Sequence, residues 1–134
     1  MKTSYFAKIK WLADNGYQNI VAVSGWVPDF YKKLMAKSPY QNVRFRRCLE
    51  LAPRKEWFFK WKNGEFDNTR YIELYKETVL DKLNFNDIIH YLGEDAVLIC
   101  YEKPDDFCHR QLISEWINSY GLECSEVNYE DGKN

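Results

Sequence analysis

An α/β fold, a single-domain open and mostly parallel sheet flanked by helices, is what this sequence predicts, and three observations carry the prediction. Two short apolar runs, NIVAVS at 19–24 and AVLICY at 96–101, have the length and composition of strands buried on both faces. Around them lie segments whose apolar residues recur at helical spacing, and strands separated by helices favour parallel pairing. No internal repeat, low-complexity tract or Pro/Gly/Ser linker interrupts the chain, so residues 1–134 read as one α/β domain.

In chain order, KTSYF reads as a short first strand and AKIKWLADNG as a helix stopped by Gly16. NIVAVS is the second strand. NVRFRRCLEL reads as a third, with an antiparallel edge pairing of residues 43–51 as the alternative. PRKEWFFKWKNG reads as a helix opened by Pro53 and closed by Gly64. DNTRYIELYKETVLDKL reads as a long helix capped by Asp67 or Asn68, and FNDIIHYLGE as a short one leading to AVLICY. After the loop EKPDD, Leu112, Ile113, Trp116, Ile117 and Tyr120 repeat at helical spacing until Gly121, and LECSEV alternates like a last strand.

Composition bounds the function. The chain is 46% hydrophobic and 29% charged, globular values, and no apolar run approaches the roughly 20 residues a bilayer span needs. Lysines at 2, 8 and 10 interrupt any apolar leader, so a cytoplasmic protein without membrane association is expected. In that reducing setting Cys48, Cys100, Cys108 and Cys124 are expected as thiols rather than a disulfide framework. Their spacing has no C-x2-C hook, so no metal site is assigned and no cofactor is indicated.

Charge is uneven along the chain. Residues 32–62 carry ten basic and two acidic side chains, residues 63–134 six and sixteen. Such a block suggests a phosphate or polyanion partner, unless the acidic half neutralises it in space. RFRR and RKEWFFKWK interleave cations with aromatics, which supports an alternative reading as a nucleic-acid binding module using Arg44, Arg46, Arg47, Lys60 and Lys62. Trp57, Phe58 and Trp61 share one helical face, however, and read more simply as core.

The candidate site is the loop from Glu102 to Arg110, since ligands of open parallel sheets bind beyond the carboxyl ends of the strands. Pro104 ends the strand ladder and Asp105 or Asp106 is placed to cap the helix, which puts Cys108, His109 and Arg110 in its first turn. Free amides there, at the positive end of the helix dipole, stabilise an anion: a bound phosphate, or the thiolate of Cys108. His109 lies on the apolar stripe and points inward, either as a hydrogen-bonded core histidine or as a proton carrier facing the cleft. Cys108 is a buried thiol or a nucleophile. Arg110 clamps an anion or pairs with Asp106 or Glu102.

VLICYEKPDDFCHRQLISEWI, together with TSYFAKIKWL, VAVSGWVPDFYK and NGEFDNTRYIELYKETVL, resembles the domain of unknown function 488 family, in which a strand ending in Cys-x-Glu leads into Cys-His-Arg. This copy has SGWVP where relatives often carry an arginine, which leaves any role of such an arginine without a counterpart here. The resemblance implies a compact α/β domain and no established activity. Its motif positions are Thr3, Ser4, Tyr5, Ser24, Cys100, Glu102, Cys108, His109 and Arg110. The resulting expectation is an enzyme of unassigned reaction class, or a binding domain, for a phosphate-bearing small molecule or nucleotide. Arg110, Thr3, Ser4, Tyr5 and Ser24 would bind the anion, with Glu102, His109 and Cys108 as catalytic candidates. A scaffold without chemistry is the further alternative.

Overall fold

The structure, a computed structural model, describes residues 1–103 and 106–130. Five strands form one sheet: β1 (Lys2–Tyr5), β2 (Asn19–Ala22), β3 (Arg44–Arg47), β4 (Val97–Cys100) and β5 (Ser125–Glu126), in the order β3-β2-β4-β1-β5. Every pairing is parallel. The antiparallel edge considered for residues 43–51 is therefore corrected. β3 pairs parallel with β2, Asn19 opposite Arg44, and the chain then tightens into a 3-10 turn at Leu49–Leu51.

Six helices cover the sheet: α1 (Ile9–Asp14), α2 (Asp29–Met35), α3 (Lys55–Lys62), α4 (Asn68–Thr78), α5 (Phe85–Leu92) and α6 (His109–Ser119). Local chemistry sets several ends. The Asp67 side chain accepts from the Arg70 amide at 3.0 Å to open α4, and Asn84 does the same for the Asp87 amide of α5. Gly93 follows α5 at φ +84, where a Cβ would meet the Asn19 amide nitrogen at 3.1 Å and an Asp95 carboxylate oxygen at 3.2 Å. Only glycine combines that φ with that crowding. α4 stops at Thr78, short of the span its periodicity suggests, and continues as a 3-10 turn at Leu80–Lys82. α2 was not foreseen, although Tyr31, Leu34 and Met35 recur at helical spacing and pack against the second core; its seven residues are a short window for that signal.

All four residues of β2 and of β4 are buried, and strand alternation divides them between two cores. Val21, Val23, Leu98 and Cys100 face Tyr71, Tyr75, Leu92, Ile113 and Ile117 on the side covered by α3 to α6. Ile20, Ala22, Val97 and Ile99 face Ile9, Leu12 and Met35 on the side of α1 and α2. Trp57 is buried, with Phe58 and Trp61 packed against the first core, as their shared helical face predicts. Among the described residues no helix is long and apolar enough to cross a membrane.

Candidate functional site

The strand order places topological switch points on both sides of β4. β4 lies between β2 and β1, yet the connection leaving β4 enters α6 on one face, whereas those leaving β1 and β2 enter α1 and α2 on the other. Adjacent connections that diverge to opposite faces leave a gap at the carboxyl ends of the strands, the usual ligand position in open α/β sheets. Cys100 ends β4 at this point. Val23 extends β2 there, its amide bonding the Ile99 carbonyl at 2.9 Å.

α6 starts at His109, with Cys108 extended at the N-cap position and no side-chain cap. The capping expected of the aspartates is corrected for Asp106, which is exposed while Cys108 takes the N-cap position; Asp105 lies outside the described residues. The result is a helix of 11 residues that opens without a hydrogen bond from its N-cap side chain. Cys100 and Cys108 form a disulfide, which corrects the expectation of four thiols; Cys48 and Cys124 are free and buried. Two sulfurs brought together by an eight-residue separation escape a search for paired C-x2-C hooks.

His109 is 5% exposed and its Nε2 lies 2.8 Å from the Val23 carbonyl oxygen. Because a carbonyl only accepts, Nε2 carries the proton and Nδ1 presents its lone pair, 3.8 Å from the Cys108 sulfur. Burial, reinforced by the neighbouring Arg110 charge, pulls the imidazole down to about 4 against the opposing Val23 bond, so the ring is neutral at neutral pH. Cys100, Cys108 and His109 bring one donor atom each within 4.8 Å of one another, all three buried.

Arg110 has no solvent exposure. Its Nε and Nη2 donate to the two Glu126 oxygens at 3.2 Å each, and its Nη1 donates to the Cys100 sulfur at 3.0 Å and to the Glu102 carbonyl. The guanidinium also sits 5.7 Å from the centroid of the Tyr5 ring, and the Thr3 hydroxyl donates to Glu126 at 2.6 Å. Thr3 and Tyr5 therefore join the Arg110 network. Ser4 bonds the Tyr129 hydroxyl, which donates to Glu126 at 3.4 Å, so Ser4 joins the network through Tyr129, whereas Ser24 donates to the Trp26 carbonyl at 2.7 Å.

Glu126 is the residue the sequence reading missed. A buried arginine needs a carboxylate, and the alternation of LECSEV was the available signal. At the loop itself, the Glu102 carboxylate lies 3.9 Å from the half-exposed Lys62 ammonium at the end of α3. Of the other basic residues, Arg44 and Lys60 are exposed. Arg46 and Arg47 donate to backbone carbonyls: Arg46 to Tyr91 and Leu92, Arg47 to Gly25.

A family model described as the active DUF488-N3 subclade, DUF488-N3a, matches residues 12–121. The matched span includes Cys100 and Cys108–Arg110 and ends before Glu126. No curated protein and no solved structure matches the chain.

Proposed function

Because the chain belongs to the domain of unknown function 488 family, in its DUF488-N3a subclade, we propose that it is a cytoplasmic enzyme acting on a phosphate-bearing small molecule or nucleotide at the N-terminus of α6. One observation carries this reading. The N-terminus of α6, whose N-cap side chain makes no cap bond, lies at the point where adjacent connections diverge, directly beside the cluster of Cys100, Cys108 and His109. The amides and Lys62 attract the phosphate, Glu102 handles protons, and the sulfur–imidazole cluster supplies the reactive element. Arg110 acts from below, holding the Cys100 sulfur and the Glu102 carbonyl in place. The description of the subclade as active agrees with chemistry rather than a scaffold.

A thermal-shift titration of the protein, treated with chelator to remove metal, tests the reading with inorganic phosphate, nucleoside monophosphates and a short oligonucleotide. A saturating nucleotide should stabilise the fold by about 2–3 kcal/mol at a hundredfold excess over its Kd. Lys62→Glu should abolish that shift, and Lys60→Glu on the same helix should leave it. Absence of any shift, or equal loss in both variants, refutes the assignment. Stabilisation by the oligonucleotide alone, steeply weakened by salt, would transfer the function to the basic segment 44–62.

A further inference from the structure

We propose that in the reduced protein Cys100, Cys108 and His109 bind one thiophilic dication of the zinc class. The donor set is two thiolates and an imidazole, which suits zinc rather than magnesium or calcium. The three donor atoms already lie within 4.8 Å of one another inside the protein. With metal–sulfur distances of about 2.3 Å and metal–nitrogen of about 2.0 Å, a tetrahedral ion sets its donors roughly 3.5–3.8 Å apart. The Cys108 sulfur and His109 Nδ1 stand at 3.8 Å.

The surroundings are those of a ligand set. His109 Nε2 is held by the Val23 carbonyl at 2.8 Å, which turns the unprotonated Nδ1 toward the sulfurs. A backbone carbonyl in that position is a usual orienting partner of metal-bound histidine. Cys100 receives the Arg110 Nη1 bond at 3.0 Å, a donor that steadies a thiolate. Two thiolates neutralise a dication, and Arg110 is neutralised by Glu126, so the whole buried cluster carries no net charge. The Cα atoms of Cys100 and Cys108 are 7.6 Å apart, beyond the roughly 4.4–6.8 Å that a direct sulfur–sulfur bond usually spans. An ion between the sulfurs bridges the wider gap.

Three protein donors are the number that catalytic zinc sites employ, leaving one position for water or substrate. Cys108 is then a ligand rather than a free nucleophile. The site stands on its own geometry and does not depend on the phosphate reading.

The test uses the full chain, reduced with a phosphine, desalted without oxygen and titrated with cobalt(II). The expected result is a thiolate-to-cobalt charge-transfer band with tetrahedral ligand-field bands, saturating at one ion per chain and displaced by zinc. Cys48→Ser/Cys124→Ser should keep the signal, whereas Cys100→Ser, Cys108→Ser and His109→Gln should each weaken binding at least about tenfold. Wild-type protein with its disulfide intact should take up no cobalt, a control that needs no substitution. Failure of the reduced, folded wild type to bind, or binding that survives Cys108→Ser, overturns the proposal. The phosphate titration is run on metal-free protein, so either result can fail without the other.

Discussion

Two arginines, one at each end of the sheet, are held in opposite ways. Arg110, at the carboxyl end, has no exposure and is matched by a carboxylate, with a sulfur and a carbonyl taking its remaining bonds. Arg46, at the amino end, is only partly buried and donates to neutral groups alone: the Tyr91 and Leu92 carbonyls at 2.7 Å and the Asn19 side chain at 3.2 Å. Those carbonyls close α5, where the helix dipole is negative, so Arg46 tethers α5 to β3. Both residues place donors on groups of the fold, but Arg46 leaves its buried Nε without a partner. Only Arg110 places them on groups that have chemistry of their own.

The contrast can be broken by substitution. Arg110→Ala strands Glu126 and leaves the Glu102 carbonyl and Cys100 sulfur without a donor, so it should cost about 3–5 kcal/mol in urea unfolding, the largest loss in the molecule. Acid should act at the same end and less strongly. The His109 imidazole titrates at about 4 in the fold and about 6.5 when unfolded, so between those values the unfolded chain binds the extra proton. Stability is therefore complete above pH 6.5 and falls as pH drops toward 4, by at most about 1.4 kcal/mol per pH unit. His109→Gln, which keeps a donor in reach of Val23 and does not titrate, should flatten the urea-midpoint profile across that window. Arg46→Ala should be mildest, about 1–2 kcal/mol, since Tyr91 is exposed and the Leu92 carbonyl keeps its bond from Asn19. If Arg46→Ala costs as much as Arg110→Ala, the two ends do not differ as described.

Much of the architecture was legible because periodicity and punctuation agreed. The buried runs became β2 and β4, and Asp67 and Gly121 mark helix ends as their types suggest. α2 was missed because its stripe, Tyr31, Leu34 and Met35, spans little more than one turn of a seven-residue helix. At the site, the inward face of His109 followed from its position on the α6 stripe. Its partner did not, because the Val23 carbonyl is a backbone atom 86 residues away and backbone atoms leave no trace in residue identity. Arg110 was identified, but its counter-ion in β5 was not, since only the register of β5 against β1 brings Glu126 under α6. The basic block looked like a surface for polyanions. Within it, Arg46 and Arg47 give donors to carbonyls of the chain itself, which residue types alone do not reveal.

The register of that last strand also sets an order of events. β5 adds to β1, Lys2 opposite Ser125 and Thr3 opposite Glu126, so the network around the sulfurs is closed by the first strand and the last. As the chain leaves the ribosome, α6 and Arg110 emerge before Glu126 does. The guanidinium must wait in water until the final strand arrives. Maturation of the centre is thus a late step, and a chain shortened before Ser125 would leave Arg110 charged, buried and unmatched.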